Sequence, residues 1–378
     1  MRKALAKAGP ASGALVYDLS AGRTLFAQRD NTGRLPASVE KLYTTLAAVR
    51  LLGPGARLHT VVLGKGHMGR HGVWHGDLYL VGDGDPTFGD GAFNKIWESG
   101  YGPTASQLVH QLAGHGIHSV TGRMIGDESL FDRRRGGMLT NLDADVPDFG
   151  GQLSALAYDH GATTKGLNPA AFAARELTLA MKADHVRVQA AKTSGKAPEH
   201  GRVLAVVSSP PLSVMLRLMD VPSDDLFAEL FAKQLGTRFG SGGTIADGAQ
   251  VISSTIATEY GIHPKILDGS GLSRSDRSSP RQVVELLRSA WGTPDGRILA
   301  SSLPVVGVNG TVRSIALHTP AQRSCLAKTG TLDGVTNLAG YCQRRGHHKL
   351  AFALMIDGPP NWSALVLEGQ MIAAIARY

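Results

Sequence analysis

The hydrophobic pattern along the chain reads first as strands, then mostly as helices, then as strands again. Between Gly13 and Asp30, GALVYDL and TLFAQRD flank the Gly-containing turn Ser20–Arg23, and their alternating positions predict a hairpin. In LPASVEKLYTTLAAVRLLG, Val39, Leu42, Leu46 and Val49 recur at helical spacing, and Gly53 with Pro54 ends the run. From about residue 56 to 204 the runs shorten. LHTVVLG, GDLYLVG and SVTGRMIGD read as strands between Gly and Asp turns, one helix-like run (ASQLVHQLAGHG) intervenes, and 133–168 keeps no steady period. Helical spacing resumes in PLSVMLRLMDVPSDDLFAELFAKQLG and continues through GAQVISSTIATEYG and SPRQVVELLRSAWG. Three strands (SCLAKTGTL, TNLAGYCQRR, HHKLAFALMIDG) and a helix over Ser363–Arg377 close the chain. Strands at both ends with helices between them predict an α+β fold. One sheet is built from residues 1–60 and 205–378, and an inserted, smaller, mainly β domain occupies 61–204.

Composition narrows the class. The 378 residues are 43% hydrophobic with a formal net charge of +8, which suits a packed chain and argues against disorder. The longest apolar run, Leu350–Ile356, has strand length and falls far short of the roughly 18–20 residues of a membrane span. The basic clusters Arg133–Arg135 and Arg344-Arg345 with Lys349 have no interleaved aromatics, so they read as solvated loop and strand-end charges and no nucleic-acid partner is expected. Fourteen histidines show no metal-ligand spacing such as H-E-x-x-H, so no metal or cofactor is expected. Two cysteines, Cys325 and Cys342, make at most one bridge. Facing positions on consecutive strands suit a disulfide and a free buried pair equally.

Three short strings carry candidate chemistry. Ser38-Val39-Glu40-Lys41 opens the first helix, where positions i and i+3 share a face and unpaired N–H groups favour an oxyanion; a hydroxyl beside an amine is the pair that acyl transfer requires. Alone the string is weak, because S-x-x-K arises by chance about once in a chain this long. The bland alternative is an N-capping serine. Lys328-Thr329-Gly330-Thr331 lies on a late strand, where an ammonium and a hydroxyl share one edge and the glycine admits a substrate backbone as an added strand. A near copy at Lys192–Gly195 sits in a polar loop and is set aside. Ser223-Asp224-Asp225 precedes LFAELF, where a serine ordinarily caps the helix.

The order S-x-x-K, S-x-[N/D], K-T-G marks penicillin-interacting serine enzymes. GDLYLVGDGDPTF (Gly76–Phe88), TGRMIGDESLFD (Thr121–Asp132), PSDDLFAELFAKQLG (Pro222–Gly236), DGSGLSR (Asp268–Arg274) and AKTGTLDGVTNLAGY (Ala327–Tyr341) extend the match. Over nearly its whole length the chain resembles the D-alanyl-D-alanine carboxypeptidase/endopeptidases of penicillin-binding protein 4 type, peptidase family S13. The resemblance implies a β-lactamase/transpeptidase-like domain, an antiparallel sheet flanked by helices, with an insertion. The span from Ser38 to Ser223 is short for members with a third nested domain, so that domain is expected to be absent. It also implies a serine DD-peptidase acting on peptidoglycan stem peptides or cross-links through an acyl-enzyme, inhibited by β-lactams, and located outside the cytoplasm in the periplasm or cell-wall exterior. The N-terminus, MRKALAKAGPASGALVYDL, has no apolar signal core, so that location rests on the resemblance alone.

By motif, Ser38 is the nucleophile, Lys41 its base, Ser223 the relay to the leaving amine, and Lys328 with Thr329 the holder of the substrate carboxylate. The N–H groups of Ser38 and Thr331 form the oxyanion hole. Ser270 and Ser273 shape a wall beside the site. One departure stands out: Asp225 occupies the place of the family's Asn. A base lysine must be neutral, and an ordinary lysine titrates near ~10.4. A carboxylate beside Lys41 or Lys328 would raise the working pH, whereas a protonated Asp225 would donate as an amide does. Two other readings follow: a catalytically weakened wall-peptide or β-lactam binder, and a related serine esterase or D-aminopeptidase.

Overall fold

Strands from the two ends of the chain meet in one antiparallel sheet. Its order is Arg23–Gln28, Gly13–Asp18, Lys349–Asp357, Val335–Gln343, Cys325–Leu332. The computed structural model describes residues 1–136, 151–188, 193–343 and 348–378. Met1–Pro54, Leu216–Gly240 and Ile245–Tyr378 form one unit, and Gly55–Met215 with Ser241–Thr244 form a second.

In the first unit the two strands Val335–Gln343 and Lys349–Asp357 are buried almost end to end. Successive side chains of a strand face opposite ways. Leu338 and Cys342 join the apolar cluster of the C-terminal helix Asn361–Arg377, while the Tyr341 hydroxyl donates to Leu287 O on the helix Pro280–Ala290. Both faces are therefore covered, which is why Leu350–Ile356 is an unbroken apolar run and not an alternating one. The helices Lys41–Leu52, Asp225–Phe239 and Ile245–Tyr260 pack on one another, and Lys41–Val49 is buried at every position. Cys325 and Cys342 are register partners and form a disulfide.

Several features differ from the sequence reading, among them a helix, Arg2–Lys7, ahead of the first strand. The helical stretch before Gly236 is two helices, Leu212–Asp220 and Asp225–Phe239, broken where Ser223 adopts φ 67°. The second unit holds a sheet ordered Ser119–Val120, Val73–Gly82, His59–Met68, Arg202–Ser208, with Met124–Asp127 also pairing with Val73–Gly82. Among the described residues it also holds three helices, where one was expected: Gly91–Trp97, Ala105–Gly114 and Pro169–Ala183. The last is alanine-rich (PAAFAARELTLAMKA), which blurs the contrast between its faces; it starts at the Asn168 cap with Pro169 at the first position. Finally, Arg135 is not solvated. It is buried, with its guanidinium donating to both Glu128 oxygens at 2.7 and 2.6 Å and to Leu153 O at 3.0 Å. Arg344, Arg345, Lys192 and part of the 133–168 stretch lie outside the described residues. Among the described residues no helix is long and apolar enough to cross a membrane, and no group of three His, Cys, Asp or Glu could hold a metal ion.

Candidate active site

Ser38 lies in a 3-10 turn, Ala37–Glu40, that runs straight into the helix Lys41–Leu52. Three contacts hold the turn to the sheet. Asn337 Nδ2 donates to Leu35 O and Pro36 O at 2.8 and 2.9 Å, and its Oδ1 accepts from Ile356 N at 3.1 Å. Gly330, on the strand Cys325–Leu332, lies so close that an added Cβ would stand 2.5 Å from Pro36 O and 3.0 Å from Val39 N. The glycine that was expected to admit a substrate backbone thus first admits the Ser38 turn itself.

Lys41 is fully buried, and its Nζ donates three times: to Ser38 Oγ at 2.9 Å, to Ser270 O at 2.9 Å, and to Asp225 Oδ1. That is the full complement of an ammonium. Asp225 starts its helix, and burial pushes its carboxyl up from the ordinary carboxylate range, against the pull of the Lys41 charge and hydrogen bond. Asp225 lies against Lys41 and not against Lys328, whose Nζ donates to Ser223 and Thr329 instead.

The second lysine, Lys328, is also fully buried. Its Nζ donates to Ser223 Oγ at 2.7 Å and to Thr329 O at 3.0 Å. Burial and then the Lys41 charge bring it down to about 7, opposed by Asp220 and Asp225. Ser223 does not cap the helix that follows. Asp224 does, accepting from Phe227 N at 3.0 Å, which leaves the Ser223 hydroxyl facing Lys328. Thr329 Oγ1 donates to Thr311 Oγ1 at 2.7 Å.

The strand bearing Lys328 is the edge of its sheet. Ala327 N donates outward to Pro304 O at 3.1 Å. Backbone N–H groups two and four residues further point the same way, so those of Thr329 and Thr331 face outward beyond Pro304. Thr331 is exposed.

Several members of the site were not marked by any motif. Asp220 is buried and accepts from Thr45 Oγ1 at 3.0 Å and Ser302 Oγ at 2.6 Å; burial pushes it up while the Ser302 hydrogen bond and then the Lys328 charge pull it down. Thr311 and Asn337 act through contacts between distant segments, and only the position of Asn337 in TNLAGY could have drawn attention. Ser270 was read as wall, and it supplies a carbonyl to Lys41. Ser273 donates its backbone N–H to Asp268 Oδ2 at 2.7 Å, which is a turn-shaping role.

Two lysines that each touch a serine, beside the edge of an antiparallel sheet backed by helices, define a transpeptidase-like fold. The chain belongs to the D-Ala-D-Ala carboxypeptidase 3 (S13) family, which matches residues 3–165 and 148–377, and it is a hydrolytic peptidase. It is 26% identical over 460 residues to the D-alanyl-D-alanine carboxypeptidase of Actinomadura sp. (strain R39), covering 98% of this chain and 82% of that one. To the carboxypeptidase DacB of Mycolicibacterium smegmatis it is 30% identical over 386 residues, covering 96% and 79%. Among solved structures, penicillin binding protein 4 (dacB) from Haemophilus influenzae superposes with a TM-score of 0.84 at 20% identity, over 100% of this chain and 99% of that one. The penicillin G acylated Bd3459 predatory endopeptidase of Bdellovibrio bacteriovorus, solved in complex with an immunity protein, gives 0.59 at 17% identity over 96% and 90%. These structural likenesses show the fold.

Proposed function

We propose that Ser38 attacks the carbonyl of a D-Ala-D-Ala type bond in a peptidoglycan stem peptide or cross-link and carries the acyl group. Lys41, once neutral, takes the Ser38 proton. The C–N bond breaks as Ser223 passes a proton to the leaving amine, and water then releases the acyl group. Lys328 and Thr329 hold the substrate's terminal carboxylate, and the N–H groups of Ser38 and Thr331 hold the developing oxyanion, where each donor supplies about 3 kcal/mol. β-Lactams acylate the same hydroxyl; the Bd3459 endopeptidase, which shares the fold, has been solved penicillin G acylated. The protein works outside the cytoplasm, where its substrate lies, and its +8 charge suits an anionic wall. Residues 61–204 form the insertion of a two-part chain without a third nested domain.

The observation that carries this reading is the pair of lysine–serine contacts, Lys41 to Ser38 at 2.9 Å and Lys328 to Ser223 at 2.7 Å. Incubation with a stem pentapeptide ending in D-Ala-D-Ala tests it: the wild type releases D-alanine and Ser38→Ala does not. Equal release by both would overturn it. The Asp225–Lys41 ion pair favours a second reading, a slow enzyme that retains its ligand, and the rate of D-alanine release against the lifetime of a β-lactam adduct separates the two.

A further inference from the structure

Behind Lys41, one peptide group stands between an ammonium and a carboxylate. The carbonyl of Ser270 accepts from Lys41 Nζ at 2.9 Å, and the N–H of the same peptide group, on Gly271, donates to Asp268 Oδ1 at 2.7 Å. The preceding peptide group is held in the same sense. Its carbonyl, on Gly269, accepts from Thr44 Oγ1 at 2.7 Å, and its N–H, on Ser270, donates to Glu229 Oε1 at 2.8 Å. Lys41 and Thr44 are one helical turn apart, so the turn 268–271 lies along one face of the Lys41–Leu52 helix and is fastened to it at two points. Gly271 allows this approach: it adopts φ +86°, and a Cβ there would stand 2.0 Å from Ala37 O. Lys41, Thr44, Glu229 and Ser270 are wholly inaccessible to solvent, and Asp268 is 2% exposed.

Four carboxyl groups face this turn. Glu40 comes from the Ser38 turn, Glu229 from the Asp225–Phe239 helix, and Asp268 and Asp276 from the loop itself. Asp276 hydrogen-bonds to Asp268, and its Oδ1 accepts from Leu267 N at 2.8 Å. Burial, followed by the field of Asp268, pushes Asp276 up. Glu229 is likewise pushed up by burial and then by Asp268, and Glu40 by burial and then by Asp276 and Asp268. Asp268 is also raised by burial, but two backbone N–H groups and the Lys41 charge oppose the rise. Asp268 accepts from two backbone N–H groups, Gly271 and Ser273, each at 2.7 Å, and these contacts with the Lys41 charge favour its ionised form. A carboxylate that accepts from Gly271 N–H polarises that peptide group and strengthens its carbonyl as an acceptor for Lys41.

We propose that Asp268 is a positioning residue for Lys41, acting through the Ser270–Gly271 peptide group and fixing the Lys41 nitrogen against the Ser38 hydroxyl. This rests on the reading of Ser38 as nucleophile and Lys41 as base. The sequence placed Ser270 in a wall beside the site and Asp268 only at the start of the DGSGLSR string; the chemistry assigns them the back of the base. Other charges that reach Lys41 are Asp225, Asp220 and Lys328. They are unchanged in the test below.

The test measures the rate of acylation by a fluorescent penicillin against pH for the full chain, Asp268→Asn and Asp276→Asn. Asp268→Asn replaces one acceptor oxygen with a donor and removes a negative charge. Its acylation slows by about 10–100-fold, as misplacement of a reacting group does, and its ascending limb moves to lower pH because the lysine proton is held less tightly. Asp276→Asn is as neutral as the acid it replaces and can make the same donation, so it keeps the wild-type rate and limb. A merely structural role for Asp268 would slow the reaction without moving the limb. Asp268→Asn with the wild-type profile, or Asp276→Asn shifted as far as Asp268→Asn, overturns the inference. A wild type that is never acylated overturns the Ser38 reading and this inference with it, whereas an acylated wild type with an unaltered Asp268→Asn overturns this one alone. Should Asp268→Asn fail to fold, infrared difference spectra between the wild type and Asp276→Asn still decide. A lost carboxylic-acid carbonyl band supports the assignment, and a lost carboxylate band contradicts it.

Discussion

At the scale of single residues, the main tension is between Lys41 and Asp225. Lys41 Nζ donates to a hydroxyl, a carbonyl and a carboxylate at once, whereas the base of acyl transfer must accept the serine proton. Asp225→Asn keeps an acceptor oxygen and removes the charge, so the lysine loses its proton at lower pH. The expected outcome is faster acylation at neutral pH, by about tenfold per pH unit of displacement, with the ascending limb moved toward acid. A pH–rate profile that overlays the wild type contradicts this. The residues that carry such arguments were unevenly legible. Ser38, Lys41 and Lys328 stand within one helical turn or one short strand string, where local spacing encodes their neighbours. Asp220, Thr311, Asn337 and Glu229 act across long sequence separations, through burial and backbone contacts that no local spacing records.

At the scale of elements, the site depends on a 3-10 turn pressed onto a sheet edge. Gly330→Ala places a Cβ against Pro36 O, which is backbone and cannot swing away. The turn must move, and with it the Ser38 hydroxyl. Acylation by a β-lactam should fall by about 100-fold, while a far-UV spectrum stays native; wild-type kinetics in this variant would show that the close approach is not needed. Element boundaries were harder to read than element types. The strands flanking Asp333–Gly334 and the helix starting at Lys41 followed their hydrophobic period. The helix start after Ser223 was signalled by the Ser-Asp-Asp string, but the capping residue is Asp224, and no local spacing marks the positive φ at Ser223. The alanine-rich helix Pro169–Ala183 was hidden by its low contrast between faces.

At the scale of the whole molecule, stability and chemistry can be separated. Glu368 is buried on the C-terminal helix, neither of its oxygens has a hydrogen-bond partner among the described residues, and burial pushes it up to about 8 from 4.5. Its folded-state value lies above its unfolded one. Folding is unpenalised below about pH 4.5, where both states are protonated, and stability is lost as pH rises toward about 8. Glu368→Gln removes that loss. Its urea midpoint should match the wild type at pH 4 and exceed it at pH 9, where the unfolding free energy is larger by a few kcal/mol at about 1.4 kcal/mol per pH unit. Equal midpoints at both pH values contradict the burial argument, and in neither case should acylation change.

The central claim is that Ser38 is a nucleophile served by two buried lysines. Intact-mass measurement after incubation with penicillin G, followed by peptide mapping, tests it most directly. One adduct of the antibiotic's mass on the peptide containing Ser38, absent in Ser38→Ala, is the predicted result. An adduct elsewhere, or a folded wild type that acquires none, would contradict it.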